Sequence, residues 1–209
     1  MSRRKECVQS RLCSSPFESF TMSTPNLNAD DDAIVAATRK WLERAVIGLN
    51  LCPFAKSVYV KEQVRYVVSN ATTPEQLLET LMDELQHLSD TSPEQVDTTL
   101  LIHPFVLNDF EDYNEFLDVA DVAVEDMQLD GELQVASFHP DYQFADTDAN
   151  DISNYTNRAP YPILHLLRED SIARAVDAFP EAEAIFEKNI ATMEKLGHEG
   201  WDKLDVGPA

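Results

Sequence analysis

Two apolar, strand-like runs of this chain stop at the same dipeptide: residues 98–102 (TTLLI) lead into His103-Pro104, and residues 133–138 (LQVASF) lead into His139-Pro140. Proline lacks an N–H and keeps the residue before it extended, so each histidine is expected to close its strand. Between the two runs, Asn108 and Glu111 are spaced to cap a helix. Its apolar positions Phe110, Tyr113, Phe116, Leu117, Ala120, Val124 and Met127 recur every three or four residues. A crossover of this length joins parallel strands. Both imidazoles are then expected at the carboxyl edge of one sheet, where open α/β sheets bind ligands.

The same alternation extends upstream. Residues 64–68 (VRYVV) are β-branched and aromatic, and Thr73-Pro74-Glu75-Gln76 is a capping box with proline at the first helical position. Leu77, Leu78, Leu81, Met82, Leu85 and Leu88 follow it at helical spacing. The pattern predicts an α/β fold: a small, mainly parallel sheet with a β-α-β-α-β core and flanking helices. A ferredoxin-like α+β arrangement is the alternative. Asp30 to Asp32 are placed to cap a first helix over 33–48, and Cys52-Pro53-Phe54 then forms a turn. Pro162 is expected to open a short helix over 163–169, which would set His165, Arg168 and Glu169 on one helical face, as a surface ion pair or as part of a site. Pro180 is expected to start a last helix that runs to Gly197, completing a helical C-terminal part.

Residues 31–200 read as a single globular domain and 201–209 as a flexible end. Residues 1–30 read as a disordered tail that contains Arg3, Arg4, Lys5 and Arg11, with Met22 as the alternative translation start. Cys7 and Cys13 fall in that tail, which leaves Cys52 alone in the domain; a disulfide framework is not expected, and a reducing cytoplasm is the natural compartment. A formal net charge of −22 argues against nucleic acid and anionic membrane as partners, because phosphate backbones are met with Lys and Arg. No run is apolar enough to span a bilayer. Five dispersed glycines form no phosphate-binding loop, and no Gly-x-Ser-x-Gly elbow is present.

From Phe105 to Asn157 there are fourteen carboxylates and no Lys or Arg, and the next cation is Arg158. It lies in a segment, 140–162, that has no periodicity and carries Tyr142, Phe144, Tyr155 and Tyr161. Long irregular segments of this kind in compact domains are functional or disordered, and the aromatics favour function. In this reading His139 and His103 are the acid–base pair, with Asp146 orienting one of them. Arg158, Asn154, Asn157, Tyr142, Tyr161 and Arg168 hold an anionic small-molecule substrate through forked and neutral hydrogen bonds. The alternative for Arg158 is a brace on backbone carbonyls. A second reading gives His103, His139, Asp146 and His165 to a divalent metal, or to haem with Cys52. A third is a non-catalytic binding or regulatory module. The plain alternative for each histidine is a hydrogen bond to a neighbouring carbonyl, and for Cys52 a buried small hydrophobe.

Three segments, GLNLCPF at 48–54, SFHPDYQFAD at 137–146 and NRAPYPILHLLRE at 157–169, resemble a bacterial family filed as domain of unknown function 1415. The likeness runs from about residue 33 to 197. It implies a bacterial, cytoplasmic, single-domain protein and implies no activity.

Overall fold

A computed structural model describes residues 29–178 and 184–208. In chain order the elements are α1 (Ala29–Trp41), continued by π-helical turns (Leu42–Ile47), α2 (Ala55–Val60), β1 (Val64–Val68), α3 (Pro74–Asp90), β2 (Thr98–Ile102) and α4 (Phe110–Asp126). After these come β3 (Leu133–Phe138), a 3-10 turn (Ile152–Thr156), β4 (Ile163–Arg168), α5 (Glu169–Ala178) and α6 (Ile185–Asp202). The tail assigned to residues 1–30 falls outside the described residues up to 28, as does Pro180.

Local chemistry accounts for the starts of the helices. Three aspartates, Asp30 to Asp32, occupy the first turn of α1, where the helix dipole favours negative charge. Thr73 caps α3 by accepting from the Gln76 amide, and the Gln76 side chain returns a bond to the Thr72 N–H at 2.9 Å. Asp109 rather than Asn108 caps α4, accepting from the amides of Glu111 and Asp112. A Cβ at Gly48, where the π-helical turns end, would collide with the Arg44 carbonyl.

The four strands lie in the order β1-β2-β4-β3, with β1 parallel to β2 and β4 antiparallel to both β2 and β3. This corrects the mainly parallel sheet: β1, β2 and β3 do run the same way, but β4 is threaded between β2 and β3, so the sheet is mixed and has one parallel pair. It also corrects the helix expected at 163–169. Ile163, Leu164, Leu166 and Leu167 form a nearly continuous apolar run, which is the pattern of a central strand covered on both faces. The i, i+3, i+4 spacing of His165, Arg168 and Glu169 is incidental to that. Alternation puts His165 and Arg168 on opposite faces of the sheet, and Glu169 opens α5.

Two clusters cover the two faces. On one, Leu77, Leu81, Leu85 and Leu88 of α3 and Tyr113, Phe116, Ala120 and Val124 of α4 pack on Leu101, Leu133, Leu164 and Leu166. On the other, Ile34 and Trp41 of α1, with Leu42, Ala45 and Val46, pack on Leu100, Ile102 and Ile163. The C-terminal residues, expected to be flexible, pack here instead: Val206 is buried, Arg44 donates to the Leu204 carbonyl at 2.8 Å, and Lys40 pairs with Asp205 at 2.6 Å. Among the described residues no helix is long and apolar enough to cross a membrane.

Arg168 locks β4 in place. It is 8% exposed, and its guanidinium donates to the carbonyls of Leu88, Thr91 and Val96. It thus meets the orphan carbonyls at the C-terminal end of α3 with a positive charge, the arrangement that the helix dipole favours. An ammonium keeps that charge but not the planar fork. Arg168→Lys should lower unfolding free energy in urea by about 2 kcal/mol, since at least one buried carbonyl loses its donor.

Candidate functional site

β2 and β3 are both antiparallel to β4, so their carboxyl ends emerge on the same side of the sheet. Ile102 and Phe138 are both in register with Ile163. His103 and His139 follow them, level with each other and two inter-strand spacings apart, roughly 10 Å between backbones. Each closes its strand with one further bond: the His103 amide donates to the Pro162 carbonyl at 3.1 Å and the His139 amide to the Asn157 carbonyl at 3.2 Å. Both imidazoles face the α3/α4 side, and Tyr113 of α4 fills the gap between them. Its ring lies 5.7 Å from that of His103 and 5.0 Å from that of His139, and its hydroxyl donates to the Ile163 carbonyl at 2.8 Å. Phe110 and Tyr142 close the cluster over His139, with Phe110 5.4 Å from His139 and 5.2 Å from Tyr142.

The two histidines differ in what their nitrogens do. His139 Nδ1 accepts from the Asp141 amide at 3.0 Å, so the proton resides on Nε2, which donates to the Leu107 carbonyl at 3.2 Å. Backbone groups take both nitrogens, and burial lowers the pKa of the ring. In His103, Nδ1 donates to the Val106 carbonyl at 3.0 Å, and Nε2 is buried without a hydrogen-bond partner. Desolvation lowers its pKa to about 4, with repulsion from His139 adding to the fall and the Val106 bond opposing it. His103 is therefore a neutral imidazole with a fixed tautomer and an uncommitted lone pair.

Segment 140–162 is folded by its own polar groups. Asn154, fully buried, accepts at Oδ1 from the Phe144 amide and the Thr147 hydroxyl, both at 2.9 Å, and donates from Nδ2 to the Asp148 carbonyl. Asn157 donates to the Ser137 carbonyl, which ties the segment to β3. Arg158 gives Nε to the Tyr142 carbonyl and Nη2 to the Ala149 carbonyl, and its guanidinium lies 4.3 Å over the Tyr155 ring. The fork that was expected to receive an anion is closed on the loop. Asp146 stands exposed with φ at 64°, and the carboxylates acting on His139 are those of Asp141 and Asp109. Its expected role of orienting a histidine has no counterpart in this geometry. Tyr161 belongs to the cluster on the other face, and Arg168 to the α3 end described above.

The four residues assigned to a metal do not converge. His165 faces the opposite side of the sheet from His103 and His139, where its Nε2 donates to the Thr98 hydroxyl at 2.7 Å, and that hydroxyl in turn donates to the Leu166 carbonyl. Burial lowers its pKa to about 4. Among the described residues, no group of three or more His, Cys, Asp or Glu side chains is arranged to hold a metal. Cys52 is half-buried at the turn after the π-helical segment, and burial raises its thiol pKa. Tyr113 was legible in the sequence as an apolar helix position, and its place between the imidazoles carried no separate signal. Two cavities lie away from this cluster: one of about 440 Å³ between residues 49–53 and α6, and one of about 500 Å³ bordered by Arg39, α2 and β1.

The model of one family, described as "Protein of unknown function (DUF1415)", matches residues 33–203. No curated protein and no solved structure matches the chain.

The assignment of the imidazoles can be tested by stability. His139→Phe strips the Asp141 amide and the Leu107 carbonyl of their partners and should cost about 2–4 kcal/mol in urea denaturation. His103→Phe removes an unpartnered nitrogen while orphaning the Val106 carbonyl, and should stay within about 1 kcal/mol of wild type. A pH series adds a second test. The folded-state pKa of His103, about 4, lies below the ordinary 6.5. The stability due to its neutrality is therefore complete above pH 6.5 and is lost as pH falls toward 4, amounting to about 3 kcal/mol. His103→Phe should flatten the acid limb between those values, with His165 and His139, whose pKa values burial also lowers, supplying what remains.

Proposed function

The chain belongs to this family of proteins of unknown function, and we propose that within it the chain acts as a small-molecule enzyme whose proton-transfer residue is His103. The observation that carries the reading is the buried, unpartnered Nε2 of that ring at the carboxyl end of β2. Leaving such an acceptor unsatisfied costs about 1–3 kcal/mol, and sites that retain a cost of this kind are where function is sought. The Val106 carbonyl holds the proton on Nδ1, so Nε2 is ready to accept from a substrate hydroxyl or N–H. His139 and Tyr113 serve as the walls that set this geometry, in place of the catalytic role first given to His139.

The substrate in this reading is anionic. The support is the sequence position of Arg158, the first cation after a stretch of fourteen carboxylates; in the structure its donors brace the loop. In this reading the substrate enters by displacing Tyr142, which packs on Phe110 beside His139, and the neighbouring part of segment 140–162. The compartment is the bacterial cytoplasm, on the resemblance and on the single free thiol of the described domain. The net charge of −22 speaks against nucleic acid and anionic membrane as partners.

Thermal denaturation against a panel of hydroxylated carboxylates and phosphate esters tests the proposal. At least one member should raise the Tm of the wild type by several degrees through mass action, and the rise should vanish in His103→Phe, whose own Tm stays near that of wild type. If every stabilising compound acts equally on both proteins, the ligand lies elsewhere and His103 is not part of its site.

A further inference from the structure

On the opposite face of the sheet a second buried polar atom has no partner. Tyr66 stands on β1, an edge strand paired on one side to β2, and its hydroxyl is buried without an acceptor. Burial raises its pKa to about 12, so it remains a protonated donor at neutral pH. Arg39 of α1 is exposed, and its guanidinium lies 4.1 Å over the Tyr66 ring. From α2, Tyr59 donates its phenol to the Glu43 carboxylate. Together with Val60, which is 70% exposed, and Glu62, the side chains of Arg39, Tyr59 and Tyr66 border the cavity of about 500 Å³.

A phenolic donor in need of an acceptor, set beside a planar cation that lies on its ring, is the complement of an oxyanion. The ligand's charge can be narrowed further. The carboxylates of Glu43 and Glu62 stand close by, and repulsion from them weighs more heavily on a dianionic phosphate than on a singly charged group. We propose that this cleft binds a small monocarboxylate, whose carboxylate accepts from Tyr66 and pairs with Arg39 while its apolar body rests toward Val60. Arg39 is exposed and lies over the ring, and in this proposal its side chain swings aside to admit the ligand to the phenol. The site is separate from His103, since Tyr66 and His103 lie on opposite faces of the sheet.

The test is a titration followed by amide and arginine side-chain NMR, using acetate, propionate and benzoate as probes, with inorganic phosphate alongside. At least one monocarboxylate should give saturable shifts at Arg39 and along β1. The affinity should fall about tenfold in Tyr66→Phe and in Arg39→Gln, and should be unchanged in His103→Phe. Tyr66→Phe removes one orphaned oxygen and keeps the ring, so the fold survives and the comparison remains valid. The proposal is overturned if no monocarboxylate gives saturable shifts, if Tyr66→Phe binds as tightly as wild type, or if phosphate binds more tightly than every monocarboxylate. Loss of binding in His103→Phe would also overturn it, by merging this site with the one at the carboxyl edge.

Discussion

The placement of β4 between two parallel strands is the constraint on which the rest of the structure depends. Were β2 and β3 direct neighbours, His103 and His139 would stand one strand spacing apart, about 4.8 Å, with no room for a ring between them. Insertion of β4 doubles that distance. Tyr113 occupies the space, its hydroxyl bonded to the Ile163 carbonyl of the inserted strand. One topological choice therefore produces both the level His-Pro ends and the aromatic packing that buries them. Arg168 holds the choice in place from the far end of β4 by joining it to the end of α3.

The same packing sorts the polar groups into two kinds. Asn154, Asn157, Arg158 and both nitrogens of His139 bond to backbone, so that a segment whose regular structure is one 3-10 turn carries its own hydrogen-bond network. His103 Nε2 is of the other kind: the fold fixes its tautomer and desolvates it, yet supplies no partner. Tyr66 shows the same property on the opposite face, next to a cation. Among the described residues only Thr99 Oγ1 shares this property, and unlike His103 and Tyr66 it sits mid-strand in β2; at the other two, a ligand can complete the structure.

Much of the frame was legible before the structure. The capping box at Thr73, the helical periods of α3 and α4 and the strands that stop at His103 and His139 each rest on local chemistry, and each appears in the fold. What escaped was β4. Its run of Ile and Leu is short enough to read as a turn of helix, and Pro162 suits the first residue of a strand as well as of a helix. Which one forms is decided by the vacancy between β2 and β3, a tertiary fact. The site was legible as a neighbourhood and not as a set of roles. Residue types placed two imidazoles and an arginine near one edge, but whether Arg158 reaches a ligand or a loop carbonyl depends on the path of segment 140–162, and that path has no period to read.

His103 is neutral, protonated on Nδ1, and open at Nε2. Nitrogen-15 NMR of the imidazole side chains across a pH series measures all three properties at one residue. The expected result is a His103 ring that holds the Nδ1–H tautomer, shows an Nε2 shift typical of an unprotonated and unbonded nitrogen, and stays neutral until pH falls toward about 4. Protonation of His103 near 6.5, or a proton found on Nε2, would contradict it.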